Sequence, residues 1–343
     1  MDVAAVRVGL VGYGSAGRGV HAPLLRAAGL DLRLVATSDA GRRRQLAEDV
    51  PGAEAVDTAE HLFDRADELD LVVLASPSGV HVRQATAAAD AGLPVVVDKP
   101  LATDPADARR LVDHAARVGV PLTVFQNRRW DAEQLTLRAL LHEGRLGQVV
   151  RFERRWERWR PQPKDRWREN APAAEGGGIL LDLHSHLVDS AVQLFGPVRR
   201  VYAEVAAWTT PAEDDAFLAV EHVGGVRSHL SALSLAGAPG PRTRVLGRTA
   251  AYVVTTFEDE ATAFPELGDA DDDSCGWLVA GEERSPVPRA PGGHVDFYRA
   301  VAHAVRQGSP MPVDPLDGVH VLEVIDAARR SAAEHAVVEV RPR

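Results

Sequence analysis

Residues 6–17 read VRVGLVGYGSAG. Apolar side chains at Val6, Val8, Leu10 and Val11 describe a short strand with no polar face, which places it inside a sheet. Gly12, Gly14 and Gly17 follow at once in the spacing G-x-G-x-x-G, and helix-compatible sequence runs on from Ser15. Gly12 lets the chain turn sharply, Gly14 lets backbone approach a bound group, and Gly17 lets the next helix pack on the strand. The free N–H groups at that helix start favour an anion, so the turn reads as a cradle for a dinucleotide pyrophosphate over residues 12–17: Gly12, Tyr13, Gly14, Ser15, Ala16 and Gly17. The alternative is a tight strand-to-helix turn that binds nothing.

Outward from this turn, strand and helix signals alternate. Residues 30–37 (LDLRLVAT) read as a strand, and 71–75 (LVVLA) and 94–98 (PVVVD) are the continuous apolar runs of strands buried on both faces. Residues 79–92 are Ala-rich and helical, stopping at Gly92. Residues 104–118 repeat this, with Pro105 at the first helical position and Gly119 at the end, and 122–125 give one more strand. Pro23 predicts a break in the first helix near His21. The pattern predicts an α/β Rossmann domain, a doubly wound parallel sheet, over residues 1–123.

The texture then changes. Asp131 can cap a helix with Gln134 three residues on, and Gly144 ends it. Strand-like segments at 149–157, 201–208, 216–223, 226–235 and 250–256 predict an α+β domain over residues 124–343, with a large, mainly antiparallel open sheet. Residues 257–291, acidic and rich in Pro and Gly, read as a long loop. Helices near 294–307 and 316–333 close the chain, and no internal repeat is present.

Composition narrows the function. The 343 residues suit about two domains. A net charge of −10 argues against general affinity for nucleic acid or anionic lipid. One cysteine, Cys275, excludes an internal disulfide. No signal peptide and no run near ~18 apolar residues is seen, so a cytoplasmic protein without membrane association is expected.

Three places carry chemistry. The second strand ends in Thr37-Ser38-Asp39. An acid about 20 positions past the glycines accepts hydrogen bonds from the adenosine ribose and repels a 2′-phosphate, so Asp39 leans towards NAD. Ser38 with Arg42, Arg43 and Arg44 could hold the phosphate of NADP instead. Asp98-Lys99-Pro100 stands at the carboxyl end of the 94–98 strand, the edge where open α/β sheets bind ligands. Pro100 restricts Lys99 to extended geometry and admits a cis bond. The Lys99 cation suits a substrate hydroxyl or carbonyl, or else it is a surface-loop lysine. Finally, residues 175–195 read EGGGILLDLHSHLVDSAVQLF. On a helix Asp182 and His186 share a face while His184 points away. That couple suits proton transfer, with His186 as base and Asp182 orienting it or binding a hydroxyl; a cap or a satisfied core pair is the plain alternative. On a strand Asp182, His184 and His186 would line up as a metal site, but the spacing of Leu180, Leu183, Leu187, Val188 and Ala191 is helical, so no metal is expected.

Two weaker signals lead elsewhere. Residues 151–169 hold eight Arg/Lys and three Trp, which could suggest nucleic acid, but four acidic residues lie among them, and a sugar- or subunit-contacting strand and loop fits better. Asp271, Asp273, Gly276 and Glu282 mimic a calcium loop, yet Cys275 takes a ligand position and no helices flank the segment.

Taken together, VGYGSAGRGVHAPLL, ASPSGVHVRQATAAADAGLPVVVDKPLA, FQNRRWD and GGGILLDLHSHLVDSAVQLFG resemble the Gfo/Idh/MocA family along almost the whole chain. The NRRWD and RWRPQPKDRWRE stretches are most similar to its branch of NADP-dependent scyllo-inositol dehydrogenases. The family's E-K-P motif appears as Asp98-Lys99-Pro100, and its D-x-x-x-H motif falls on Asp182 and His186. His184 stands where relatives carry a small residue, and is expected either near the sugar or on the helix surface. The resemblance implies that Lys99, Asp182 and His186 are catalytic and meet between the two domains. It implies that Ser76, Pro77, His81, Asp98 and Lys99 border the cofactor, NAD or NADP. It adds Asn127, Arg128, Trp159 and Arg166 as substrate-binding candidates, and a homodimer or homotetramer formed through the second sheet. The expected function is an NAD(P)-dependent dehydrogenase acting on a CH–OH group of a sugar, inositol or related polyol. A non-catalytic NAD(P)-binding regulator and an NAD-dependent glycosidase are the alternatives on the same fold.

Overall fold

A computed structural model describes residues 5–255 and 273–341. The chain divides into two compact units, one holding residues up to Asn127 together with Gly293–Val319, the other Arg128–Gly292 and the residues from His320 on.

The first unit is built on six strands: β1 (Arg7–Val11), β2 (Asp31–Ala36), β3 (Glu54–Val56), β4 (Leu71–Leu74), β5 (Val95–Asp98) and β6 (Leu122–Phe125). They lie in the order β3-β2-β1-β4-β5-β6 and pair in parallel throughout. This is a doubly wound sheet whose order reverses between β1 and β4, the place where such sheets bind ligands. Its centre is dry: Leu71–Leu74 and Val95, Val96 and Val97 are fully buried. The expected helix break appears as a change of winding. The helix after the glycine turn runs as a π-helix over Gly17–His21, and α-helix resumes at Ala22–Ala27 with Pro23 in its first turn.

Residues Gly293–Val319 join this unit rather than the second, a difference from a division at 123/124. Aromatic packing is the reason. In the helix Val295–Gln307, Phe297 meets the Phe125 ring edge-on at 5.0 Å and Tyr298 stacks on it at 5.6 Å. Thr123 Oγ1 donates to the Val313 carbonyl at 2.8 Å.

The second unit carries nine strands: β7 (Val149–Glu157), β8 (Val198–Ala206), β9 (Asp215–His222), β10 (Arg227–Leu233), β11 (Thr243–Gly247), β12 (Ala251–Val254), β13 (Ser274–Ala280), β14 (Glu283–Pro288) and β15 (Val338–Glu339). Their order is β14-β13-β12-β11-β7-β10-β9-β8-β15. Every pairing is antiparallel except β7 with β10. Burial alternates strictly along β9 and β10, so one face of the sheet is covered. The helix Ser185–Phe195 packs against that sheet on β7 and β10.

Three expectations are corrected. Of the loop expected at 257–291, residues 257–272 lie outside the described residues, while β13 and β14 form an edge hairpin, and the Pro286 and Pro288 that argued against a strand are tolerated because β14 has no neighbour on its outer side. Asp131 sits at the N-cap position of Ala132–His142, but its carboxylate turns to Arg128 at 3.4 Å instead of capping. Gln134 is buried and serves Arg154 and Gln193. The strands β3, β11 and β15 carried no readable signal. Of the calcium-like pattern, Asp271 lies outside the described residues, and Gly276 lies within β13.

Candidate active site

In the first unit, each sequence-marked group stands at the carboxyl end of a strand. The glycine turn follows β1. Gly12 adopts φ +95°, and a Cβ there would lie 2.7 Å from the Ala75 carbonyl oxygen. A Cβ on Gly17 would overlap the Gly12 carbonyl oxygen outright. These two glycines are fixed by packing. Gly14 differs, since a Cβ there would meet nothing within 4 Å. The turn is bare at that point and faces a cleft that Ser15, Arg18 and Arg42 also line. A bare, glycine-lined helix start beside arginines fits a dinucleotide pyrophosphate. Tyr13 also lines this cleft: largely buried, with its hydroxyl donating to Asp49 at 3.1 Å, it is raised to about 12 by burial and by that carboxylate.

After β2, Asp39 caps the helix Ala40–Asp49, accepting the Arg42 amide at 2.8 Å. That hydrogen bond holds its carboxyl below the usual range. Ser38 is exposed beside it. Arg43 turns back to the Thr37 carbonyl and pairs with Asp57, so it is not part of a phosphate cradle with Arg42.

After β4 and β5 come Ser76-Pro77 and Asp98-Lys99-Pro100, with the Lys99–Pro100 bond cis. His81, fully buried, lies 2.8 Å from the Pro100 carbonyl through Nδ1 and 2.9 Å from the Ser76 carbonyl through Nε2. Both carbonyls are acceptors, so each contact needs its own ring N–H, and a neutral ring fills one of the two at a time. Burial pushes its pKa down, against the opposing effect of the Pro100 and Ser76 carbonyls and the Asp98 charge. Burial alone would raise the Asp98 carboxyl, but His21, with Nε2 3.7 Å away, and the nearby Lys99 charge hold it below the usual range. Asp98 in turn accepts the Lys99 amide at 2.8 Å. His21 is packed against Phe125 and hydrogen-bonded to the Tyr298 hydroxyl at 2.5 Å. Lys99 thus projects from a turn anchored on both sides. Asn127 lies 3.4 Å from His294.

In the second unit, Asp182 lines a cleft together with Trp156, Arg158, Arg166 and Arg168. Leu180–His184 winds as a π-helix before the α-helix begins at Ser185, a local rewinding often found at functional sites. Asp182 pairs with Arg168 at 3.4 Å. His186 is 7% exposed, and its ring lies 5.8 Å from that of Trp156, tilted 32°. Trp156 forms part of the cleft wall, and Arg128, Arg158 and Arg242 each stand about 5 Å from its ring. Below it, buried Glu133 takes Arg154 at 3.0 Å and Arg242 at 3.3 Å. Burial pushes Arg242 down to about 10, which leaves it charged at neutral pH.

The remaining candidates are distributed unevenly. Arg166 lines the cleft and pairs with Glu169. Trp159 is not part of the cleft wall: it is 60% exposed and bridges to Leu235, because on an extended chain it faces opposite to Trp156, Arg158 and Arg160. His184 is neither near the cleft nor on the helix surface. It is fully buried with Nε2 3.4 Å from the Leu230 carbonyl, and burial drives its pKa down to about 4. Sequence reasoning missed Trp156, Arg158, Arg160 and Arg168 as one wall; the alternation of Trp156, Arg158 and Arg160 was the available signal for the first three. Among the described residues, no group of three or more His, Cys, Asp or Glu side chains is gathered as for a metal ion. No described helix is long and apolar enough to cross a membrane.

Comparison with known proteins bears on the family and the fold. Residues 6–126 match the oxidoreductase family model with an NAD-binding Rossmann fold, and residues 134–253 match the GFO/IDH/MocA C-terminal domain. The chain is 30% identical to scyllo-inositol 2-dehydrogenase (NADP(+)) IolW of Bacillus subtilis, over 97% of this chain and 95% of that one. It is 34% identical to the uncharacterized oxidoreductase YdgJ of Escherichia coli, over 97% and 98%. Among solved structures, the YPO2259 oxidoreductase of Yersinia pestis superposes with a TM-score of 0.86 at 32% identity, covering 99% of this chain and 98% of that one. The chain belongs to the Gfo/Idh/MocA family of NAD(P)-binding oxidoreductases.

Proposed function

We propose that the protein is an NAD(P)-dependent dehydrogenase of a secondary alcohol on a sugar, inositol or related polyol. What supports this reading is a carboxylate and an imidazole, Asp182 and His186, on one rewound helix, with Asp182 lining a cleft of the second unit, and an anchored lysine at the end of β5 in the first unit's own sheet. Gly12, Gly14, Gly17, Ser15 and Asp39, with Ser76, Pro77 and His81 bordering, would hold the dinucleotide. When bound, the nicotinamide accepts hydride from the carbinol carbon. His186 takes the hydroxyl proton, Lys99 donates to the same oxygen as negative charge develops, and Asp182 binds a neighbouring hydroxyl. Asn127, Arg128 and Arg166 contribute to substrate binding. Asp39 makes NAD the preferred cofactor, because an ionised carboxylate repels a 2′-phosphate. The name of the similar IolW enzyme points the other way, to NADP(+), and Arg42 lines the cleft beside the turn. A homodimer or homotetramer formed through the second sheet completes the reading, checked by sedimentation.

The test is a screen of inositols and aldoses with NAD and with NADP, followed at the absorbance of the reduced nicotinamide. Turnover of at least one polyol, faster with NAD, is expected. Tight dinucleotide uptake with no turnover would favour a regulator, and sugar release from glycosides without net reduced cofactor would favour a glycosidase.

A further inference from the structure

We infer that the polyol recognised in the second-unit cleft carries an anionic group, a carboxylate or a phosphate; this rests on the dehydrogenase reading above. Three observations lead there. The first is a rail of cations. Beyond β7 the chain stays extended, with the Arg158 and Arg160 amides donating to the Leu233 and Ser234 carbonyls at 2.9 and 2.7 Å. Alternation along extended backbone then turns Trp156, Arg158 and Arg160 to the same side, and all three line the cleft.

The second is the charge balance. Arg158, Arg160, Lys164, Arg166 and Arg168 line this one cleft, in a chain whose net charge is −10. Four acids also line it, and each is engaged. Glu169 takes Arg166, Asp182 takes Arg168, and Glu213 takes Arg329, which is not part of the wall. Asp214 accepts the Trp208 and Thr209 amides at 2.7 and 2.9 Å. Arg160 and Lys164 have no acidic partner among the described residues.

The third is geometry. A half-enclosed cleft concentrates the field of its wall on a bound ligand, and a planar guanidinium grips a carboxylate or phosphate through two parallel hydrogen bonds. A neutral cyclitol would leave Arg160 and Lys164 without that partner. An acidic sugar fills the cationic side of the cleft while its hydroxyls remain for Asp182.

Three probes separate the possibilities: myo-inositol as the neutral polyol, D-glucuronate as the carboxylate, and D-glucose 6-phosphate as the phosphate ester. Steady-state kinetics use the full chain with its preferred cofactor at low and at about 0.5 M salt. One of the two anionic probes is expected to exceed myo-inositol in kcat/KM by about tenfold or more, the equivalent of ~1.4 kcal/mol. That advantage should shrink at high salt, where charge attraction is screened. Whichever anion wins identifies the source. The R160A/K164A variant, with Lys164 exposed and Arg160 half-buried in the cleft wall, should bring the anionic and neutral rates together. Equilibrium titration of the same probes covers the case without turnover. Anion binding that the variant loses keeps this inference while overturning the dehydrogenase reading. Oxidation of myo-inositol in preference to both anions, insensitive to salt, overturns this inference and leaves that reading standing. Equal anion binding by wild type and variant overturns it as well.

Discussion

The glycine turn of the first unit and the arginine-rich cleft of the second are both suited to polar ligands, yet they are built in opposite ways. The turn offers backbone. Gly12 and Gly17 are forced by carbonyl oxygens that any Cβ would run into, and Gly14 is left bare. The cleft offers side chains, chiefly the guanidinium groups of Arg158, Arg160, Arg166 and Arg168, with Arg158 held against Trp156. Backbone recognition tolerates almost no substitution and suits a constant ligand. Side-chain recognition can be retuned one residue at a time and suits the part of the reaction that differs between relatives. Under the function proposed above, the backbone-built turn would hold the cofactor and the side-chain-built cleft would choose the substrate.

Substitutions can break or sharpen this contrast. The largest effect on stability is expected beneath the cleft. Glu133→Ala strands the buried Arg154 and Arg242 charges together, and should cost about 3–5 kcal/mol in urea unfolding. A loss under 1 kcal/mol would mean that the arginines are satisfied without it. In the turn, Gly17→Ala should cost about 3 kcal/mol and abolish dinucleotide binding, since its Cβ collides with backbone. Next comes His184, whose pKa of about 4 lies below its ordinary 6.5 through burial. The folded chain then refuses a proton that the unfolded chain accepts. The contribution to stability is whole above pH 6.5 and drains away as pH falls towards 4. His184→Gln should remove about 2 kcal/mol of the stability lost between pH 7 and pH 5; an unchanged pH profile would contradict the buried, neutral assignment. The smallest stability effect belongs to Gly14→Ala, within about 0.5 kcal/mol, because the new methyl meets nothing. Its dinucleotide affinity should nevertheless fall, and full affinity in that variant would detach the open face of the turn from cofactor binding.

The two regions also differ in how far the sequence discloses them. The turn is written within residues 6–17, where apolar run, glycine spacing and helix start are neighbours in the chain. β4 and β5 are equally plain, being apolar from end to end. Asp182, His186 and Lys99 were legible as residue types at suggestive spacings. The cleft was not, because its wall draws on Trp156, Arg168, Asp182, Asp214 and Ser234, which only the sheet brings together. The β13–β14 hairpin was hidden by Pro286 and Pro288, whose tolerance depends on an edge position that no local pattern announces. His184 was misjudged for a related reason. Its helix presents it to β10, and burial on that side is a tertiary fact.

The central claim is that Lys99 and His186 act on one oxygen. The most direct measurement is a double-mutant cycle on kcat, with dinucleotide affinity followed in parallel. Lys99→Ala and His186→Ala should each lower kcat by about 10²–10⁴-fold with cofactor affinity retained. The double variant should be little worse than the poorer single one, as groups that work as a unit behave. Turnover near that of the wild type in both single variants, or strictly multiplicative losses in the double one, would contradict it.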